Sequence, residues 1–515
     1  MGGNIKVGLF FGAGAEVCYG LPSGGKFALD LFRANVDKEK TKLRNNIKSV
    51  NKLSVYANKW LPNDFDVKRI HAFGRSDFAS LLQSIMEYRR YDIIKFLDEF
   101  DIQAERVLQS WDISKAELNQ IFKSLIGEDI GDVIYDQKVS LSTQLGANTD
   151  LFKSEYFSAL LEVLKNRPES ELLTRSLRAF LQLLIGCHGQ NLASGLNQAL
   201  FAKAPNDLPI FDDIGGVFRI DLSCAGLTAL ELVLEEEAHT VSSSSSMESI
   251  FGEFARKMLE VLLERHLNYQ ALIDEHFRYL YDPRAEWAKF TKIVIFLNTA
   301  RTYILNKACG DSARIKDGPG YYHDLLNFGT IGLDIRAIGT TNYNSLVPEV
   351  AEGALSTYQV EHLNGSVHDF YDPYLNTIVH FTDDNECLNY ERITVPLMFT
   401  QSGIKPLTCI EMSKRYVGLY DSFCDSDAVV VVGFGFNGDD GHVNGLFRNL
   451  IDECNKDIYI CHYQSNGSDS AAARNYERKL RITNRDRLHI IGVNDERKTL
   501  NGDFWYESIA KAIIG

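Results

Sequence analysis

The apolar stretch from Ile5 to Phe11 runs directly into Gly12-Ala13-Gly14-Ala15, and nothing else in the chain constrains its fold as strongly. Apart from Lys6 its residues are apolar or small, and the run reads as a buried β-strand. The glycines read as a tight turn, and residues 25–32 as the helix that follows it. A strand of this kind needs parallel neighbours, and parallel neighbours need long crossover connections. Those neighbours appear only after about Gly329, where strands and helices alternate again. Strands are expected at 334–338, 358–363, 428–432, 457–462 and 488–491, and helices at 345–354, 413–422, 443–454, 471–480 and 504–513. The alternation predicts an α/β fold with a doubly wound, Rossmann-like parallel sheet to which the first strand belongs.

Between the two parts the pattern is helical. Apolar residues recur at spacings of three and four from Asp77 to Phe100, and similar patterns recur over 154–165, 169–185, 227–237, 247–266 and 287–307. Ser242 to Ser246 reads as a surface loop between two of these helices. No fixed repeat period is present. The expected organisation is therefore one α/β domain made of residues 1–35 and 330–515, with a large, mainly α-helical insertion over 36–329 that serves assembly and regulation.

Composition narrows the function classes. The chain has 515 residues, 45% hydrophobic and 24% charged, enough to bury a core without disulfides or metals. A formal net charge of −15 argues against direct nucleic-acid binding, which draws on clustered Lys and Arg. The one basic segment, 38–52, reads as a solvated surface. Nine cysteines stand singly with no C-x-x-C spacing, so no metal site is expected, and a reducing cytoplasm is. The start, Met1-Gly2-Gly3-Asn4-Ile5-Lys6, does not read as a signal peptide or a myristoylation site. The longest apolar runs are strand-length, so no membrane span is expected.

Four segments carry candidate chemistry. In Gly12-Ala13-Gly14-Ala15 small side chains let a backbone approach a pyrophosphate, and N–H groups there can hold its charge; the plainer reading is a tight turn. Gly20-Leu21-Pro22-Ser23-Gly24 follows closely. Ile338-Gly339-Thr340-Thr341-Asn342-Tyr343-Asn344 follows a predicted strand, where Asn342 also suits a helix cap. His362-Leu363-Asn364-Gly365-Ser366-Val367-His368 ends the next strand. Gly433-Phe434-Gly435-Phe436-Asn437-Gly438-Asp439-Asp440-Gly441-His442-Val443-Asn444 follows the apolar strand at 428–432.

In this order the segments resemble the sirtuin-like NAD hydrolases of bacterial antiphage defence. They match a GAG loop with a G-[IVLY]-P-S segment, a T-T-N-Y-D segment, an L-H-G-S strand end, and a G-[YF]-[SG]-F-x-x-D-x-H-[IV]-N loop. The stretch from Phe399 to Ser413, with Lys405-Pro406, also looks like the family's approach to that last loop. The resemblance covers roughly residues 5–35 and 330–495 and implies a sirtuin-like domain lacking the zinc module of deacetylase sirtuins. It implies NAD as substrate, held by Gly12, Ala13, Gly14, Ala15, Pro22, Thr341, Asn364, Gly433, Phe434, Gly435 and Asn437. It implies that Asn342 orients the water or ribose during cleavage. Three positions depart from the pattern: Glu16 replaces a hydroxyl residue, Asn344 an aspartate, and Asn364 the catalytic histidine. An amide cannot take a proton at neutral pH, so a flanking imidazole must do so. His368 is the first choice, because it lies past the Gly365 turn and can fold back; His362 is the second, on the same strand face as Asn364.

The expected function is an NAD glycohydrolase (NADase) giving nicotinamide and ADP-ribose. The resemblance implies a cytoplasmic toxic effector of abortive infection, activated by homo-oligomerisation or by a separate sensor such as an ATPase, a short Argonaute or an inosine-triphosphatase-like protein. Two rivals stand beside it. One is a catalytically inactive regulatory module that binds NAD or ADP-ribose, favoured by Asn364. The other is a nucleotide-processing enzyme acting on a different base–ribose bond.

Overall fold

The structure, a computed structural model, describes residues 5–22, 24–111, 113–134, 149–188, 226–235, 247–267, 269–310, 312–351, 360–398, 409–463 and 469–514. The chain divides into two compact units, Met1–Gly24 with Ala34–Phe73 and Gln270–Gly515, and Gly25–Arg33 with Gly74–Tyr269. Among the described residues no helix is long and apolar enough to cross a membrane.

The first unit carries every strand among the described residues. They are β1 (Ile5–Phe11), β2 (Leu333–Thr340), β3 (Val360–His362), β4 (Asp369–Asp372), β5 (Thr377–His380), β6 (Val395–Pro396), β7 (Ala428–Val432), β8 (Asp457–Tyr463) and β9 (Leu488–Val493). Six form a parallel sheet in the order β3-β2-β1-β7-β8-β9, with β1 central between β2 and β7. Period-two alternation explains the apolar run of β1. Val7, Leu9 and Phe11 pack in one layer with Ile335, Val430, Tyr322, Phe328 and Trp505. Phe10 packs in the other with Val429, Val431, Leu419, Phe423 and Phe447. Both faces are covered, as a parallel sheet requires.

The expected strands at 5–11 and 428–432 have those limits. Those at 334–338, 457–462 and 488–491 run further, because the parallel ladder continues; Thr340, for instance, pairs with Phe11. Of the strand expected at 358–363, Val360–His362 is strand and Leu363 lies past its end, while 358–359 lie outside the described residues. The helix expected over 345–354 is Leu346–Val350, with 352–354 outside them.

A second sheet, β5-β4-β6, is antiparallel and has no counterpart in the sequence-based expectation. Its strands are too short for a periodicity signal. The signal present is Phe370-Tyr371 and Thr377-Ile378-Val379 flanking a turn with Asp372-Pro373 and Asn376, whose φ is +55°. The buried Asp372 carboxylate closes the hairpin by accepting from the N–H groups of Tyr374 and Leu375, from the Tyr390 hydroxyl, and from Arg392 Nε at 2.6 Å.

The helical stretch over 36–329 is divided between the units. Helices Asp37–Ser49, Val55–Trp60, Gln270–Phe277 and Trp287–Gly310 belong to the sheet unit. The reason is packing: Trp287–Gly310 lies on β6 and on Asp37–Ser49, Thr302 donates to Glu39, and Ile393 N–H donates to the Tyr56 hydroxyl.

Within its described residues the second unit is built of helices. The stretch read from Asp77 to Phe100 as one pattern is three helices, Arg75–Tyr88, Arg90–Asp98 and Phe100–Ser110, broken where Arg89 and Glu99 leave helical dihedrals. The breaks let Phe96, Phe100, Ala104 and Val107 all turn inward. Phe100 meets Phe157 and Phe180 edge-on at 5.5 and 5.3 Å. The fully buried Glu260 is paired with Arg33 and with Lys257 at 2.8 Å, as a buried charge must be. The serine run 242–246 lies outside the described residues.

Candidate active site

The connections leaving β1 and β7 lead to opposite halves of the sheet, so the crevice beyond their C-terminal ends is a topological switch point, where open α/β sheets bind ligands. The two loops there clasp each other. Gly12 N–H donates to the Val432 carbonyl at 2.9 Å, Gly14 N–H to Gly433 at 2.8 Å, and Ala15 N–H to Gly12 at 3.0 Å. A Cβ on Gly12 would sit 2.6 Å from the Gly433 oxygen, and one on Gly433 (φ +68°) 2.0 Å from Ala15 N. These glycines therefore serve the backbone clasp first. The N–H groups of Gly12, Gly14 and Ala15, assigned to a pyrophosphate on sequence grounds, are bonded to carbonyls. Ala13 and Gly14 are exposed, and Pro22 is half-buried.

Glu16 lies in the 3-10 helix Ala13–Tyr19 and is buried. It accepts from the Tyr322 hydroxyl at 2.8 Å and from Asn344 Nδ2 at 2.7 Å. The two departures at 16 and 344 are thus one feature: the carboxylate expected at 344 stands at 16, and the pair is hydrogen-bonded. Asn342 is also buried, and its Nδ2 donates to the Gly12 carbonyl at 3.1 Å and to the Tyr322 hydroxyl at 3.2 Å. Its N–H donates to Thr340 Oγ1, and Thr341 N–H to the Phe11 carbonyl, which fixes the end of β2 against β1. Tyr322 is not singled out by sequence reasoning. It sits in the stretch read as helical insertion, after Gly318-Pro319-Gly320, and no local pattern points to it.

Burial pushes the Glu16 carboxyl up from the usual 4.5 to about 7, against the lowering by Asn344, Tyr322 and Asn342. Between those values the folded chain binds the proton more tightly than the unfolded one. The stability this group contributes is therefore full below pH 4.5, lost as pH rises to about 7, and constant above. The interval corresponds to roughly 3 kcal/mol, at about 1.4 kcal/mol per pH unit. Denaturant unfolding of wild type and Glu16→Gln from pH 4.5 to 8 should show the difference moving by that amount in favour of the Gln variant; parallel curves would refute it.

His362 ends β3, paired in register with Thr340. Its Nδ1 lies 2.8 Å from the Asn342 backbone carbonyl, which only accepts, so Nδ1 carries the hydrogen. Burial holds the ring below the usual imidazole range, partly countered by that hydrogen bond. His362 is therefore a neutral imidazole at pH 7, with Nε2 as its basic atom. The segment after it is tied down. Arg415 grips Asp369 at 2.7 and 3.1 Å and reaches the His362 carbonyl, Tyr416 donates to the Leu363 carbonyl, and Arg301 Nε to that of Val367.

Asn364 is buried, and its Oδ1 faces His442 Nε2 at 3.1 Å. His442 belongs to the matched loop motif, which assigns it no role. His368 points elsewhere: its Nδ1 lies 3.3 Å from the Phe381 carbonyl, and its ring is 5.7 Å from His380. The structure thus brings His362, not His368, against Asn342. In the loop after β7, Phe434 packs into the core beside Phe10 and Phe436. Lys479 Nζ donates to the Gly435 carbonyl, and the exposed Asn437 accepts from Asn444 Nδ2. Asn444 Oδ1 is buried with no hydrogen-bond partner among the described residues. The stretch 399–408 lies outside the described residues. Among the described residues no group of three or more His, Cys, Asp or Glu could hold a metal ion.

In comparisons with known proteins the chain matches no family model, no curated protein and no solved structure.

Proposed function

We propose that this chain is an NAD glycohydrolase with a sirtuin-like site, which splits the nicotinamide–ribose bond. The observation that carries the reading is the junction of Asn342 and His362 at the switch-point crevice, with the imidazole tautomer set by the Asn342 carbonyl. Water and NAD⁺ give nicotinamide, ADP-ribose and a proton. The C–N bond breaks with its electron pair leaving on neutral nicotinamide, so the departing group needs no acid. The incoming water loses its proton to His362 Nε2, and preorganised amide dipoles stabilise the oxocarbenium-like transition state.

On the resemblance, the activity belongs to a cytoplasmic toxic effector of antiphage defence. It is held inactive until self-assembly or a sensor partner (an ATPase, a short Argonaute or an inosine-triphosphatase-like protein) releases it. The test is nicotinamide release from NAD by the purified chain, alone and with each class of partner. Release above the uncatalysed rate is expected. Calorimetric NAD binding with no release under any condition would instead establish a binding module, the reading that the His442-held amide of Asn364 favours.

A further inference from the structure

We infer that Glu16 is a positioning residue, whose carboxylate sets the Asn342 amide through Tyr322 and holds the Asn342 loop through Asn344. The inference rests on the reading of this site as one that cleaves NAD. The Tyr322 hydroxyl is the link: it donates to Glu16 Oε1 and accepts from Asn342 Nδ2. A hydroxyl has one hydrogen, so committing it to Glu16 leaves only lone pairs for Asn342. That forces the Asn342 amide to turn Nδ2 toward Tyr322 and Gly12 and leaves Oδ1 for the substrate. Without the carboxylate the hydroxyl is free to donate to Asn342, and only the Gly12 carbonyl still holds the amide in this orientation. Asn344 completes the support, since its Nδ2 binds Glu16 Oε2 while its Oδ1 caps the N–H of Leu346.

The arrangement needs the ionised carboxylate, because only then do both oxygens accept. A protonated carboxyl turns one oxygen into a donor, which faces the donor of Tyr322 or of Asn344. The titratable group facing Glu16 is the Tyr322 phenol, itself held neutral by burial and by Glu16; Tyr19 stacks on its ring at 5.2 Å, and His323 lies 3.0 Å from the Tyr19 hydroxyl.

The test compares Glu16→Gln, Tyr322→Phe, Asn344→Asp and the double variant Glu16→Gln/Asn344→Asp. The glutamine in Glu16→Gln keeps one acceptor for Tyr322 but sets an amide donor against the Asn344 amide. The aspartate in Asn344→Asp restores an acceptor there and keeps the bond to Leu346. In NAD cleavage, Glu16→Gln and Tyr322→Phe should lose roughly tenfold in kcat with KM nearly unchanged, and the double variant should recover to within about threefold of wild type. The acid limb of the wild-type rate near pH 7 should vanish in Glu16→Gln, leaving a lower one from His362. Independently of activity, the fluorine resonance of 3-fluorotyrosine at position 322 should titrate near pH 7 in the wild type and stay flat in Glu16→Gln.

If the wild type cleaves NAD while Glu16→Gln and Tyr322→Phe keep its kcat and pH profile, or the double variant shows no recovery, the inference fails and the activity stands. If the wild type releases no nicotinamide, the activity fails, and the fluorine resonance still decides Glu16. A position-322 resonance that does not titrate overturns its role. One that titrates near pH 7 in the wild type and stays flat in Glu16→Gln upholds it.

Discussion

Replacing His362 by Ala should lower kcat for nicotinamide release by about two to four orders of magnitude, the range a general base supplies. NAD affinity should change little, because the ring contributes a proton acceptor and not a grip on the phosphates. The expectation follows from two features of the site. The Asn342 carbonyl holds the Nδ1 hydrogen, so the opposite nitrogen is the basic one, and burial keeps the ring neutral at pH 7. His368→Ala should stay within roughly tenfold of wild type, since that ring is engaged with the Phe381 carbonyl beside β5. The decisive measurement is single-turnover cleavage of both variants with NAD binding followed by calorimetry. A large loss in His368→Ala with none in His362→Ala would transfer the proton work to His368. Full activity in both would remove histidine from the mechanism.

Gly433→Ala should produce a large loss of stability, on the order of 4 kcal/mol or more. Two costs combine. An L-residue at φ +68° is strained by about 1–2 kcal/mol. The new Cβ would also lie 2.0 Å from Ala15 N and 2.5 Å from the Gly14 carbonyl carbon, backbone atoms that no rotamer change can move. Relief would require the two loops to part, breaking the Gly14–Gly433 hydrogen bond and opening the end of the central sheet. Gly438→Ala is the control, because nothing lies within 4 Å of its added Cβ; it should fall within about 0.5 kcal/mol of wild type. Denaturant midpoints of the two variants make the comparison. Equal midpoints would mean that the loops separate at little cost and that the clasp does not define the site.

The sheet could be read from the chain alone because its cause is local. An unbroken run such as Ala428–Val432 can be satisfied only by a strand covered on both faces, and the glycine turns mark its ends. The crevice loops, Asn342 and both flanking histidines were legible because they lie at or just past the ends of expected strands, in segments that resemble family motifs. Spacing cannot show what a side chain meets across several hundred residues. Glu16 read as an awkward carboxylate and Asn344 as a lost one, and only the tertiary structure makes them partners, 2.7 Å apart and 328 residues distant. Tyr322 carried no signal, because its role lies wholly in reaching Glu16 and Asn342 from a segment that is helical in pattern. The choice between His362 and His368 likewise waited on the fold. Strand alternation gives a face, but the short antiparallel sheet formed by β4, β5 and β6 decides where the chain goes after Gly365. Its strands are set by pairing partners rather than by any period in the sequence.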